Sequence, residues 1–566
     1  MRHRMKNRIL YFVAGLFALV AVCDASAQES RSTHRDFEFG RSIEILANIM
    51  REFDQEYVKD VSPDKLLSAA VIGITKATDP YSQYLSEEDM RDFDILTTGK
   101  YGGVGSTIRK SGDYVIFAEP YKGSPADEAG IVYGDKILAI NGESMKGVDT
   151  DGISSRLKGD PETDVEVTIE RFYTGKSETL TLRRRRISIP SVSYSGILRD
   201  NVGYILHSDF IRGSYDEVRR AVERLQEEAN GELRGIVLDY RSNGGGVMGE
   251  AIDIASLFVD QNERIVSIMG RDSSSLRHFA TEHKPIARDI PIVVLVNGSS
   301  ASASEILAGA LQDMDRAVVM GQRTYGKGLV QSTAHVGYNS YLKYTSEKYY
   351  IPSGRCIQAH DYSTRNNDGS VAVVPDSLIL EFKTRGGRKI YDGGGIVPDV
   401  KLEPKYFSRF AITLYAMGYM NDWVDEYMRK HHGDTIDVRS FRLSDEDYAD
   451  FVRFIESKDV EYESESRKAL KALESALERD LYDEALREEV KRFGELIKDD
   501  KLSNMQTYRR EIEDMLVVEI LTRFAYNEGA IENSVVRDEE VNRAIDLLLD
   551  SEEYNRILRE QDLSMH

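Results

Sequence analysis

The sequence predicts a multidomain α/β protein, an α+β arrangement in which helical, β-rich and mixed modules follow one another. Three observations support this. The chain of 566 residues suffices for about three or four domains of ordinary size. Its hydrophobic content of 41% is enough to build buried cores. The periodicity of apolar residues also changes along the chain, which divides it into 1–27, 28–98, 99–186, 187–404 and 405–566.

The first segment, 1–27, is typical of an export signal. Basic residues precede an apolar run over 9–22, and Ala25-Ser26-Ala27 supplies the small residues that signal peptidase reads. That run is shorter than the roughly 20 residues of a membrane span. We therefore expect an exported, periplasmic protein. The sequence leaves open an uncleaved anchor, lipid attachment at Cys23 and release beyond the envelope.

Residues 28–98 are expected to be helical. Apolar residues recur there at spacings of three and four, namely Ile43, Leu46, Ala47, Met50 and Phe53. Ser62-Pro63-Asp64 is typical of a helix start, with serine as N-cap and proline at the first helical position.

Residues 99–186 are expected to form a small β-rich module. Alternating runs such as Val165 to Ile169, and Lys136 to Ile140 before the turn Asn141-Gly142, indicate short strands. The only dense basic run, 183–186, follows such a stretch and is expected at a strand edge or domain junction. A net charge of −22 argues against a nucleic-acid partner, which is held by clustered lysines and arginines.

Residues 187–404 alternate between strand-like and helix-like stretches, and the apolar run Ile292 to Val296 suits a strand buried on both faces. The chain after Pro404 contains no proline and only four of the 43 glycines, and its pattern is helical. One apolar face is expected to carry Leu470, Leu473, Leu477 and Leu481. For 405–566 the sequence leaves open a homodimer interface, support of the cleft and docking of an adaptor.

Chemistry is indicated where the buried strand ends. Small residues form a turn over 297–304, and a helix is expected to begin near Glu305. A serine at such a corner projects its hydroxyl into a cleft, and N–H groups at the helix start can stabilise an oxyanion. This stretch alone leaves open, and even favours, the interpretation that the serines are only caps and turn residues.

A second stretch, Thr324-Tyr-Gly-Lys-Gly-Leu-Val-Gln331, places Lys327 between two glycines. A lysine can replace histidine as a general base when burial lowers its pKa towards neutrality. Gln331 lies four residues further on, which places it on the same side in a helix or a strand.

Together these stretches resemble the C-terminal processing peptidases, also called tail-specific proteases, over about residues 40–404. The family's nucleophile lies in a Ser-Ala-Ser-Ala-Ser-Glu run, here residues 300–305. Its lysine base follows 25 residues later in Gly-Lys-Gly, with a glutamine four beyond. The resemblance therefore implies Ser302 as nucleophile, Lys327 as base and Gln331 as the residue that positions the lysine. It also implies a crotonase-like (ClpP-like) α/β core and no cofactor.

Other stretches agree with this family. Asp79-Pro-Tyr-Ser-Gln-Tyr-Leu85 and Tyr349-Tyr-Ile-Pro-Ser-Gly-Arg-Cys-Ile-Gln358 are similar to its signatures, with Tyr81 in place of histidine. Asp239-Tyr-Arg-Ser-Asn-Gly-Gly-Gly246 corresponds to its Asp-Leu-Arg-x-Asn-Pro-Gly-Gly turn, which helps to build the oxyanion hole. This implies Gly245 and Ala303 as oxyanion donors, although Gly244 in place of proline makes the turn more flexible.

The β-rich module resembles a PDZ domain. Gly123 to Ile131 followed by Gly134 to Gly142 matches its signature, and the carboxylate-binding loop corresponds to Tyr101, Gly102, Gly103, Val104 and Gly105. Consecutive glycines expose N–H groups that can bind a terminal carboxylate while a peptide adds as a β-strand. The expected partners are protein substrates with flexible C-terminal tails.

Two other hypotheses remain open: a non-catalytic PDZ scaffold with a decayed protease core, and a peptidase with a histidine base. None of the ten histidines lies in a run with the serine cluster, and His207 is expected to be structural or at a rim. No His/Cys or Asp/Glu spacing suggests a metal site. The sequence names neither the substrates nor the preferred cleavage residues.

Overall fold

The computed structural model describes residues 35–365, 371–460, 462–496 and 501–559. The predicted export signal, 1–27, lies outside these residues. The chain divides into two compact units, the first running to Leu85 and including Thr333–Tyr344, the second comprising Ser86–Ser332 and everything from Thr345. Within the described ranges, no helix combines the length and apolarity that a membrane crossing requires.

The first unit is largely helical. It contains helix α1 (35–56), helix α2 (Pro63–Lys76) and strand β1 (Gln83–Leu85). The Ser62 hydroxyl accepts a hydrogen bond from the Lys65 N–H and Pro63 opens α2, which confirms the predicted helix start. Strand β1 pairs antiparallel with residues 341–343 of a long strand described below.

The β-rich module opens the second unit, after helix α3 (Glu87–Thr98). Its strands are β2 (Lys100–Gly103), β3 (Ser106–Ser111), β4 (Tyr114–Pro120), β5 (Lys136–Ile140), β6 (Glu143–Ser144), β7 (Asp164–Glu170), β8 (Ser177–Arg183) and β9 (Arg185–Ser188), and its helices are α4 (Pro125–Glu128) and α5 (Thr150–Leu157). The sheet order is β3-β4-β5-β7-β8, with β6 on β5. Strands β2 and β9 pair where the chain enters and leaves the module. The basic run spans the end of β8 and the start of β9, so it lies at the module junction, one of the two predicted positions.

The core of the next module is a six-stranded sheet. Its strands, in spatial order, are β10 (Val192–Ile197), β11 (Val202–His207), β12 (Gly235–Asp239), β15 (Ile292–Val296), β16 (Val318–Gly321) and β23 (Val400–Lys401). All neighbours pair in parallel except β10 and β11. Every residue of β15 is buried, which confirms the prediction for Ile292 to Val296.

Helices cover both faces of this sheet. One face packs against α6 (Ser214–Glu228), α7 (Met248–Ala255) and α8 (Ala303–Asp313). The other packs against α16 (Glu539–Leu549) and α17 (Ser551–Arg559), which contribute Val541, Ile545, Leu548, Tyr554 and Ile557 to a shared apolar cluster. The end of the predicted extension 405–566 is therefore part of the core layer structure.

Antiparallel strands complete the module. These are β13 (Arg264–Met269), β14 (Arg277–Ala280), β17 (Leu329–Gly337), β18 (Ser340–Tyr350), β19 (His360–Arg365), β20 (Val371–Val373), β21 (Glu381–Lys383) and β22 (Lys389–Tyr391). The last three residues of β18 pair with β13 in the second unit, and its first half carries the residues that pair with β1 in the first unit.

The remaining helices follow the core, and all of them except those at Glu465–Arg479 and Glu484–Leu496 contribute buried residues to a cluster around Trp423 and Phe451. They are α9 (Arg409–Ala416), α10 (Tyr419–Lys430), α11 (Asp445–Glu456), α12 (Glu465–Arg479), α13 (Glu484–Leu496), α14 (Lys501–Thr507) and α15 (Arg509–Arg537). The predicted leucine face is wrong in part. Leu470 and Leu477 are buried, but Leu473 is half exposed. Leu481 lies beyond the end of α12 in a turn with φ of 57°.

Candidate active site

Ser302 lies at the corner between strand β15 and helix α8, with backbone angles φ 57° and ψ −114°. A residue other than glycine adopts these backbone angles only under strain, and strained residues cluster at functional sites. The neighbouring hydroxyls have structural roles, since Ser300 donates to the Tyr240 carbonyl and Ser304 to the Asn243 carbonyl. Ser302 is thus the strained, partly accessible serine of the run.

The Glu305 carboxylate holds this corner and the lysine loop together. Its Oε2 accepts hydrogen bonds from the backbone N–H of Ser302 (2.8 Å) and of Lys327 (2.9 Å). Its Oε1 accepts from the Gly326 N–H (2.7 Å) and the Thr324 hydroxyl (2.6 Å). Glu305 is fully buried, and this burial raises its pKa to about 7 against the opposing effect of the four donors.

Tyr349 joins the same two segments from strand β18. Its hydroxyl donates to the Lys327 carbonyl at 2.5 Å and lies 3.2 Å from the Ser302 carbonyl. The side chain is 1% exposed. The backbones at Ser302 and Lys327 are therefore held on one side by a buried carboxylate and on the other by a buried phenol.

Lys327 is half-buried, and its flanking glycines are required by close backbone approaches. A Cβ atom at Gly328 would lie 2.8 Å from the Gln358 backbone N, and Gly326 has φ of 84°. The Gly328 N–H also donates to Gln358 Oε1 at 2.7 Å. The lysine loop is thus packed against the end of the stretch that begins at Tyr349.

Gln331 is half-buried on strand β17, four residues after the lysine. Its Nε2 donates to the Thr345 hydroxyl of β18 at 3.5 Å, which orients the amide. This places Gln331 on the same hairpin as Tyr349.

Gly245 packs directly against the serine corner. A Cβ atom there would lie 2.8 Å from both the Ala303 N and the Ser302 Cβ, and its φ is 93°. Its own N–H donates to the Asn243 side-chain oxygen at 2.9 Å. The Asn243 carbonyl in turn accepts from the Ala301 N–H at 3.0 Å. The predicted turn therefore lies beside the serine, with the Gly245 N–H already engaged, while Ala303 is the first residue of α8.

His207 is buried and structural, as expected. Its ring contacts the rings of Phe210 and Tyr240, and burial lowers its pKa to about 3. It is therefore neutral and enclosed at physiological pH. Among the described residues, no group of three or more His, Cys, Asp or Glu side chains could hold a metal ion.

The predicted carboxylate loop runs from β2 into β3. The carbonyl of Val104 accepts from the Ala126 N–H, and that of Gly105 accepts from the Tyr121 N–H and the Ser124 hydroxyl. Gly102 lies so close to Gly159 that its carbonyl accepts the Gly159 N–H at 3.1 Å. Strand β3 is an edge of its sheet, with helix α5 beside it.

The sequence assigned no role to Glu305 or Tyr349, although Glu305 ends the run 300–305 and Tyr349 begins the stretch 349–358. The available signal was an acidic residue at the start of an otherwise apolar helix, Ile306 to Ala310. A charged side chain that such a helix must bury needs hydrogen-bond donors around it.

Comparison with known proteins agrees with this organisation. Residues 201–377 match peptidase family S41, 116–171 match a PDZ domain, and 410–548 match a family described as "Probable PDZ-protease, C-terminal helical domain".

The match to this chain covers most of the length of two curated relatives. A "Probable CtpA-like serine protease" of Staphylococcus aureus (strain bovine RF122 / ET3-1) is 33% identical over 384 residues, 67% of this chain and 72% of the relative. A "Carboxy-terminal-processing protease" of Bartonella bacilliformis is 32% identical over 376 residues, 66% of this chain and 83% of the relative. Among solved structures, a photosystem II D1 C-terminal processing protease is similar at 26% identity and a TM-score of 0.34, over 63% of this chain and 86% of that one.

Proposed function

The chain belongs to peptidase family S41 and is a serine-type C-terminal processing protease with a PDZ domain; from this premise we propose that it is an endopeptidase in which Ser302 and Lys327 form the catalytic pair. The observation that carries the proposal is the Glu305 carboxylate, whose Oε2 accepts the backbone N–H of both residues. Two segments that are separate in sequence are thereby fixed next to one another. Proximity of this kind is what proton transfer from a nucleophile to its base requires.

In the proposed reaction Lys327, as the neutral amine, removes the proton from the Ser302 hydroxyl as its oxygen attacks a peptide carbonyl. The tetrahedral intermediate collapses to an acyl-enzyme, and the leaving amine takes the proton from Lys327. Water then attacks the ester, gives its proton to Lys327, and the new carboxyl end leaves as the proton returns to Ser302. No cofactor takes part.

The oxyanion is stabilised in this proposal by the Ala303 N–H, which lies at the start of α8. Gly245 keeps the space beside Ala303 open because it lacks a side chain. Its N–H becomes a second donor only when the hydrogen bond to Asn243 is given up. Gln331 positions Lys327, since its amide is oriented by Thr345 and its oxygen can accept from the ammonium.

We further propose that the PDZ module selects substrates by their C-terminal tails. Strand β3 is an edge strand, so it can accept a peptide as an additional strand beside α5. Because the Val104 carbonyl is held by Ala126, the N–H of the same trans peptide, on Gly105, points away from it. This is the orientation that a carboxylate-binding loop needs.

Export to a periplasm remains part of the proposal and is supported by the composition of 1–27 alone. A histidine base gains no support from His207, because burial of the ring lowers its pKa to about 3.

The tail proposal is tested with one flexible protein prepared in two forms, ending in the same apolar residues with a free carboxylate or a C-terminal amide. Wild type is expected to cleave the free form at least about tenfold faster at low substrate concentration, a difference of roughly 1.4 kcal/mol. A variant lacking 100–188 should lose this preference. The two ends left by this deletion already lie close together, because the Ile189 N–H donates to the Gly99 carbonyl at 2.8 Å. Equal rates on both forms by wild type would refute tail selection.

A further inference from the structure

Glu540 lies in the first turn of helix α16, in the helical domain that follows the peptidase core, yet both of its carboxylate oxygens contact that core. Oε2 accepts from the Arg241 guanidinium at 2.8 Å, and Oε1 accepts from the Gln322 amide at 3.1 Å. The side chain is only 14% exposed. One carboxylate therefore joins the segment after β12 to the segment after β16.

The first contact supports the glycine turn. Arg241 makes a two-pronged ion pair with Asp239 at the end of β12, and its remaining guanidinium nitrogen contacts Glu540 and Asp538. Two residues further on, the Asn243 carbonyl accepts the Ala301 N–H. The position of Arg241 thus fixes the origin of the turn that packs against Ser302.

The second contact supports the lysine loop. Gln322 follows β16, and its backbone N–H donates to the Val296 carbonyl. Two residues later the Thr324 hydroxyl donates to Glu305, which also holds the Lys327 N–H. Gln322 therefore fixes the start of the loop whose other end carries the proposed base.

We propose that Glu540 is a positioning residue of the active site, through which the C-terminal helical domain holds the glycine turn and the lysine loop in register. The proposal rests on the function proposed above for Ser302 and Lys327. The physical reason is that a displacement of about 1 Å between reacting groups can cost about a hundredfold in rate, even when its cause lies outside the site. Removing Glu540 also takes away one of the three carboxylates, with Asp239 and Asp538, that contact the largely buried Arg241 guanidinium.

A purely structural role for Glu540 would lower stability without changing catalysis in the folded enzyme. The two roles are separated by measuring kcat, KM and thermal unfolding for Glu540→Ala, Glu540→Gln and a matched control. The control is Glu539→Ala, the adjacent residue of α16, whose carboxylate is exposed and paired with Lys405 and Arg510.

Glu540→Ala is expected to lower kcat by about 10- to 100-fold at a temperature where it is fully folded, with KM and tail-peptide affinity within about twofold of wild type. Glu540→Gln keeps one acceptor oxygen and should recover part of the loss. Glu539→Ala should keep the wild-type kcat. A folded Glu540→Ala enzyme with wild-type kcat, or an equal loss in Glu539→Ala, would overturn the inference.

If Glu540→Ala does not fold, Glu540→Gln and Gln322→Ala replace it in a double-mutant cycle on kcat. The inference predicts that the double variant loses less than the product of the two single losses, because both act on one contact. Independent losses would contradict it. Ser302→Ala and Lys327→Ala, assayed in parallel, separate the two proposals: activity surviving in both refutes the proposed function, whereas its loss in both with unchanged Glu540 kinetics refutes only the positioning role.

Discussion

At the scale of the residue, a buried acid, Glu305, joins the two segments of the candidate site. Glu305 accepts three backbone N–H groups and one hydroxyl, and these donors belong to the corner of Ser302 and the loop of Lys327. A carboxylate has several lone pairs in two directions, so it can join more donors than an amide could. The strained backbone of Ser302 is held in part by this contact.

The buried Glu305 predicts an unusual pH dependence of stability. Its pKa is about 7 in the folded protein and 4.5 when unperturbed, so the folded state retains a proton between these values. Its stabilising contribution is therefore present below 4.5 and is lost as the pH rises through 7. The free energy of unfolding should fall by about 3 kcal/mol from this group.

The measurement is urea unfolding at about pH 5 and about pH 8, where the two states of Glu305 dominate. Glu305→Gln cannot titrate and should lack this part of the pH difference, whereas the exposed Glu552→Gln should retain it. An identical pH difference in wild type and Glu305→Gln would show that Glu305 does not titrate as described.

The sequence could single out Ser302 and Lys327 as candidates because each motif is local. The run 300–305 contains Ser302, and the Gly-Lys-Gly segment contains Lys327, so each candidate is identified by residues a few positions away. Arg241 and Glu540, by contrast, are 299 positions apart. No local periodicity relates such residues, and their contact follows only from how α16 packs on the sheet.

At the scale of the element, helices α16 and α17 cover one face of the six-stranded sheet. Without them, one face of β11, β12, β15 and β16 would expose apolar side chains, among them Val237, Val293 and Leu295. The Tyr554 hydroxyl also donates to the Ile292 carbonyl and accepts its N–H. The composition change at Pro404 predicted a helical region correctly, but composition does not show which surface such helices cover.

This packing predicts that Ile545→Ala destabilises the catalytic core itself. Ile545 is 1% exposed against the sheet, and truncation of such a side chain costs about 2–5 kcal/mol. Loss of peptidase activity on heating should therefore shift together with loss of helical signal. The exposed Arg543→Ala on the same helix should change stability by less than about 0.5 kcal/mol. If Ile545→Ala lowered the temperature at which the helical signal is lost but not the temperature at which activity is lost, the helices and the sheet would not share one core.

At the scale of the whole molecule, the second unit combines the PDZ module, the peptidase core and the helical domain, and named side chains join the first to the last. The PDZ module meets the helical domain at Tyr133, whose ring lies 3.7 Å from the Arg523 guanidinium and whose hydroxyl accepts from Arg523. Arg523 is buried and paired with Asp425 and Glu519. Helix α15 is kinked at Tyr526, whose hydroxyl donates to Asp127 of the PDZ module.

The order of modules was visible in the sequence, because each has its own periodicity and glycine content. Their mutual arrangement was not, since Tyr133 and Arg523 carry no signal that relates them. The homodimer or adaptor interface considered for 405–566 remains a prediction, while support of the core by its last helices is visible in the cluster around Ile545.

The central claim is that Ser302 and Lys327 together perform the cleavage. It is tested most directly by assaying the wild-type protein, Ser302→Ala and Lys327→Ala on a flexible protein with a free apolar C-terminus. Ser299→Ala is the matched control, since Ser299 is an exposed serine three residues before Ser302. We predict cleavage by wild type and Ser299→Ala, and a loss of more than about a thousandfold in each of the other two variants. Near wild-type cleavage by Lys327→Ala would contradict the account, because the base would then be another residue.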